Sequence, residues 1–188
     1  MKIIKVLKFA VPAVLAVALL SQTSITRADE QGKKGDRQAA LPSNPFVLLL
    51  KGIVEPAVHF PDLGLSQVDL SDGTYWTVPI YDVSGIPGTK KDKAVGNFYV
   101  QPPGEALCAY HVPGGSFSAR FRPAEAHTVV TSDGKGGIYI TGTYELDILE
   151  GTGIYRPFAG GHIHMDDILQ ITAAGVMNEV GCLCHVSH

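Results

Sequence analysis

Apolar and polar residues alternate along most of this chain with a period of two. The clearest stretch is 138–149. Ile138, Ile140, Gly142, Tyr144, Leu146 and Ile148 share one face, and Tyr139, Thr141, Thr143, Glu145 and Asp147 the other. A period of two places successive side chains on opposite sides of an extended strand, whereas a helix repeats every 3.6 residues. Residues 116–122 do the same, with Phe117, Ala119 and Phe121 opposed to Ser116, Ser118, Arg120 and Arg122. Further strands are predicted over 46–54, 74–83, 94–101, 106–112, 161–171 and 176–186. Turn chemistry separates them: Ser71-Asp-Gly73, Ser84-Gly-Ile-Pro-Gly88, Pro102-Pro-Gly104, Pro113-Gly-Gly115, Asp133-Gly-Lys-Gly-Gly137 and Glu150-Gly-Thr-Gly153. No segment reads as a long amphipathic helix. The 21 Gly and 12 Pro would interrupt one often.

About eight strands joined by short turns predict an all-β fold. A sheet of that size protects its edges by closing or doubling over. The expectation is therefore a closed antiparallel barrel of about eight strands, wide enough to fill with side chains or to hold one small ligand. A two-sheet β-sandwich is the alternative.

The exception to the strand pattern is at the start. Lys2, Lys5 and Lys8 precede the apolar run 9–20, and Thr26-Arg27-Ala28 places small residues at −3 and −1 of a cut after Ala28. This is the form of a secretory signal peptide over 1–28. Its 12-residue run is too short for a spanning helix, which needs about 20 residues. Residues 29–43 are polar and without period, and read as a flexible leader. Residues 44–188 then form one domain, exported to a periplasm or out of the cell, with no stable membrane anchor after cleavage.

Cleavage changes the charge. Four of 15 basic residues lie in the signal and all 18 acidic residues follow it, so the mature chain carries 11 basic against 18 acidic residues, a net −7. Such a surface argues against nucleic-acid binding, which needs clustered Lys and Arg.

Three cysteines remain, Cys108, Cys182 and Cys184. Export permits disulfides. Cys182 and Cys184 flank one residue of a strand, with Cα atoms about 7 Å apart, at the limit for a relaxed bridge. A cross-strand disulfide from Cys108 to Cys182 or Cys184 is the expectation.

The segment Gly142-Thr-Tyr-Glu-Leu-Asp-Ile-Leu-Glu-Gly-Thr-Gly-Ile-Tyr-Arg-Pro-Phe-Ala-Gly-Gly161 resembles the "ILxGTGxYxxxxG" stretch of allene oxide cyclases and dirigent proteins. Ala94-Val-Gly-Asn-Phe-Tyr-Val100 is similar to an aromatic-rich strand of the same family. The resemblance implies an eight-stranded, calycin-like barrel with a largely apolar cavity. It also implies trimeric assembly and no metal or organic cofactor. Members of this family steer cyclisation or isomerisation of a reactive substrate. No catalytic residue carries over by motif. The Gly-Thr-Gly itself reads first as a turn, since Gly supplies positive φ without steric cost.

Three functions follow. The first is a barrel binding an apolar or aromatic small molecule, with Trp76, Phe98, Tyr110 and Tyr144 as cavity candidates; any enzyme activity would be cofactor-independent cyclase or isomerase chemistry. The second is an extracytoplasmic Zn or Cu protein. His162 and His164 share a strand face with Asp166, and Cys182, Cys184, His185 and His188 crowd the C-terminus. His111 or His185 would complete the His162 and His164 site. The plain alternative is a solvated polar face. The third is a filled barrel acting through its surface. Asp167 has the parity of the apolar face. It is either a buried, paired carboxyl able to protonate or orient a substrate, or a strand end.

Overall fold

The computed structural model describes residues 40–57, 61–68, 75–90, 92–101 and 107–188. The signal peptide and most of the leader lie outside the described residues, as do the turns at 71–73 and 102–104. The described residues form ten strands: β1 (Phe46–Ile53), β2 (Glu55–Pro56), β3 (Trp76–Ser84), β4 (Ala94–Val100), β5 (Leu107–Val112), β6 (Gly115–Phe121), β7 (His127–Ser132), β8 (Ile138–Gly151), β9 (His162–Ile171) and β10 (Met177–Ser187).

Eight of them close a ring of antiparallel pairs in the order β1-β10-β9-β8-β6-β5-β4-β3, with β3 returning to β1. The predicted barrel is therefore the fold. The other two are additions that the alternation did not predict. Short β2 pairs only with β3, and β7 only with the first half of β8.

The pleat decides what fills the interior. Phe46, Leu48 and Leu50 of β1, Leu146 and Ile148 of β8, Ile163 and Met165 of β9, and Cys182, Cys184 and Val186 of β10 all face inward and are buried. One end is closed by the 3₁₀ segment 153–158. Its Tyr155 and Phe158 pack with Phe46 and Phe117, at ring distances of 5.2–5.8 Å for the pairs Phe46–Phe158, Phe117–Tyr155 and Phe46–Tyr155. The Gly-Thr-Gly stretch secures this plug. Thr152 N–H donates to Ser116 O (2.7 Å) and Thr152 Oγ1 accepts from Ser116 N–H (2.9 Å). Gly153 has φ +54°, and any Cβ there would lie 1.9 Å from Gly114 O. The motif is thus a clamp between the β8 end and the β5–β6 hairpin, rather than a hairpin turn of its own.

A second apolar cluster covers the outer wall of β4 and β5. Leu63 and Val68 of segment 61–68, with Ala57 and Tyr75, pack on the outward Tyr99 and Ala109. Glu150 holds this strap, accepting from Ser66 Oγ (2.9 Å) and Gln67 N–H (2.6 Å).

Candidate functional site

The barrel is open at the end opposite the plug. There the interior widens into a cavity of about 480 Å³, within the range of small-molecule pockets. Trp76, Phe98, Phe121 and Tyr144 supply aromatic walls; Leu50, Val78, Met165 and Leu169 add aliphatic ones. Each residue arrives by strand parity. Tyr144 continues the inward row of Leu146 and Ile148, and Phe121 that of Phe117 and Ala119. Gly142 clears space for the Tyr144 ring, since a Cβ at that position would lie 2.7 Å from the phenol oxygen.

Two carboxyls interrupt the apolar wall, Asp167 of β9 and Glu179 of β10. Asp167 follows Ile163 and Met165 along the inward row. Glu179 does not follow the row of Cys182, Cys184 and Val186. A β-bulge lies between Glu179 and Gly181, so Glu179 pairs with Leu169 and Gly181 with Ile168. The extra residue, Val180, turns outward, and Glu179 is re-aimed into the barrel with 7 % of its surface exposed. Periodicity read from Cys182 and Cys184 puts Glu179 outside, which is why the sequence pattern missed it. Gly181 within a strand was the available signal.

The two carboxyls hydrogen-bond each other, and backbone groups of Ile168 and Gly181 contribute one bond each. Burial pushes the Asp167 carboxyl up. Glu179 is pushed up to about 9, by burial first and then by the neighbouring Asp167. Two carboxylates this close cannot both ionise cheaply, so burial and mutual repulsion favour a proton shared between them. Burial also raises the Tyr144 phenol, with Asp167 and Glu179 adding to the effect.

Of the residues expected at a cavity, Trp76, Phe98 and Tyr144 line it. Tyr110 does not. It is fully buried in the packed interior, stacked on Phe117 at 4.6 Å and tilted against Phe98 at 4.8 Å, with its hydroxyl directed to Cys184 Sγ (3.8 Å).

The expected disulfide is absent: Cys108, Cys182 and Cys184 are free and buried. Topology explains this. β5 and β10 lie four strands apart in either direction around the ring, so Cys108 has no cross-strand neighbour among the other two. Cys182 and Cys184 stand successively inward, Sγ to Sγ 3.8 Å. Burial pushes the Cys108 thiol up; the hydrogen bond with Cys184, then burial, does so for Cys182.

The mixed metal set does not assemble either. The β10 wall separates it, with Cys182 and Cys184 inside and His185 outside beside His164, at a ring distance of 6.3 Å. His111 is on the far wall, bound to Ser116 Oγ (2.9 Å), and the His188 backbone N–H is tied to Asn44 (3.1 Å). Among the described residues no three His, Cys, Asp or Glu side chains converge as a metal site. His162 and His164 instead share a carboxylate the pattern did not single out. Glu145 Oε2 meets His162 Nε2 (2.5 Å) and Oε1 meets His164 Nδ1 (2.6 Å), and Asp166 lies 3.5 Å from His164 Nε2. Glu145 pairs with His164 across β8 and β9 and so reaches both imidazoles. Its hydrogen bond raises His164. Partial burial alone would raise Glu145, but the two histidines outweigh it and hold the carboxyl low.

A larger depression of about 630 Å³ lies on the outer wall, lined by Leu49, Val129, Ile168 and Leu183 with His127 and Asp166. It is more open than the barrel cavity, and of the buried carboxyl pair only Asp167 borders it. Comparison of the chain with protein-family models, curated proteins and solved structures finds no match.

Proposed function

We propose that this protein binds an apolar or aromatic small molecule in the open end of its barrel, and does so outside the cytoplasm after cleavage near Ala28. The observation that carries the reading is the cavity itself: about 480 Å³, aromatic on several sides, closed below by packed side chains and marked by a few polar groups. Apolar walls supply affinity and a few placed polar groups fix orientation. The likeness to allene oxide cyclases and dirigent proteins supports the same reading, since their barrels work through such a cavity.

A second reading concerns chemistry and is favoured by the proton held between Asp167 and Glu179. A carboxyl kept neutral in an apolar cavity can donate to an oxygen of the bound molecule. The walls would hold that molecule in one folded conformation, which is how a barrel steers cyclisation or isomerisation without a cofactor.

Aminoanthracene, a neutral fluorophore that brightens in apolar surroundings, tests the binding function. The wild type should bind one equivalent saturably, with energy transfer from Trp76. Val78→Phe, which fills the cavity from β3, should weaken binding at least about ten-fold while circular dichroism stays unchanged. Saturable binding indifferent to Val78→Phe would place the probe elsewhere and refute the proposal.

A further inference from the structure

The polar atoms in the cavity wall are not balanced. Among the described residues, Gln101 Oε1 is buried without a hydrogen-bond partner, and Asp167 Oδ1 and Glu179 Oε1 are buried with no donor beyond the proton their own pair shares; all three residues line the cavity. All three are acceptors. No Lys, Arg or His is among the lining residues. Of the hydroxyls near them, Tyr144 is paired with Thr128, and Tyr110, beyond the cavity wall, is directed to Cys184.

A buried acceptor without a donor costs stability, and a buried negative charge without a partner costs more. Even with one proton shared, the carboxyl pair keeps a negative charge that nothing in the cavity wall neutralises. A ligand that brings only acceptors, such as a ketone or an ether, can use the shared proton but leaves this charge standing. A carboxylate adds to it. A ligand carrying a positive charge and N–H donors removes both deficits. The surrounding rings favour the same ligand, because Trp, Tyr and Phe faces attract cations.

We infer that the ligand of this cavity is an apolar organic cation, whose ammonium N–H groups meet the Asp167–Glu179 carboxyl pair while its hydrocarbon or aryl body lies along Trp76, Phe98, Phe121 and Tyr144. This rests on the reading that the cavity holds a small molecule, and goes beyond it by fixing the charge and donor character of that molecule.

The chain has a single tryptophan, Trp76, and it lines the cavity. Its fluorescence therefore reports occupancy directly. Phenylbutylamine, phenylbutanol and phenylbutyrate share one body and differ in charge. Titrated into the full-length purified protein at neutral pH, the amine should bind at least about ten-fold more tightly than the alcohol, from charge-assisted hydrogen bonds, and the butyrate should bind most weakly. Combined Asp167→Asn and Glu179→Gln should bring the amine to the affinity of the alcohol. Retained alcohol binding checks that this variant is folded. Equal affinity of amine and alcohol in the wild type would overturn the cation inference and leave the apolar cavity reading intact. Absence of saturable quenching by all three would overturn both.

Discussion

At the scale of single residues, the unusual features are carboxylates rather than the thiols and histidines that stand out in the sequence. Burial, and then the neighbouring Asp167, push Glu179 up from its ordinary 4.5 to about 9 in the fold. Between those values the folded chain keeps a proton that the unfolded chain has released. Stability therefore falls as pH rises through that window, by up to about 1.4 kcal/mol per pH unit. Urea unfolding followed by Trp76 fluorescence should show this decline, and Glu179→Gln should flatten it; a parallel decline in the variant would assign it to another group. On the outer wall the sign is set by attraction. His164 is raised by Glu145, so its stabilisation is present below the ordinary histidine value and fades as pH rises through the folded one. Glu145→Gln should lower the His164 midpoint in an NMR titration. An unchanged midpoint would mean that the contact is not made in solution.

At the scale of elements, the eight strands of the ring were legible because each has one face against the core and one away from it. The inward rows at Ile163 and Met165 and at Leu146 and Ile148 are read directly from alternation. Asp167 was legible as an inward carboxyl for the same reason. Its partner was not, because the bulge before Gly181 shifts parity, and a bulge leaves little trace in a pattern of apolar and polar residues. A similar shift between β6 and β8, where Ser118 pairs with Glu150 and Ala119 with Ile148, turns Glu150 outward to hold the 61–68 strap. β7 escaped notice because its residues are all exposed and Val129 adjoins Val130, so nothing alternates. The strap gives a test of the Glu150 assignment. Glu150→Ala should cost about 1 kcal/mol of stability, given partly exposed hydrogen bonds to a charge, and should speed hydrogen exchange at Gln67. Unchanged exchange at Gln67 would detach the strap from Glu150.

At the scale of the whole molecule, ring closure decides which sequence-distant residues meet. It brings the first and last ring strands, β1 and β10, side by side and sets Cys108 across the interior from Cys182 and Cys184. Spacing along the chain carries no information about that opposition, so the disulfide expectation failed while the barrel expectation held. Thiol titration with Ellman's reagent under non-reducing conditions should count three thiols after unfolding and almost none before. One thiol after unfolding would establish a bridge. The same closure leaves one end plugged by Tyr155 and Phe158 and the other open around an aromatic-walled cavity. Amide chemical-shift mapping during titration with phenylbutanol tests whether the open end is where a small molecule sits. Shifts should concentrate at the open end, around Trp76, Phe98, Tyr144, Leu169 and Glu179. Shifts centred instead on Leu49, Val129, Ile168 and Leu183 would move the binding site to the outer wall and contradict the open-end site.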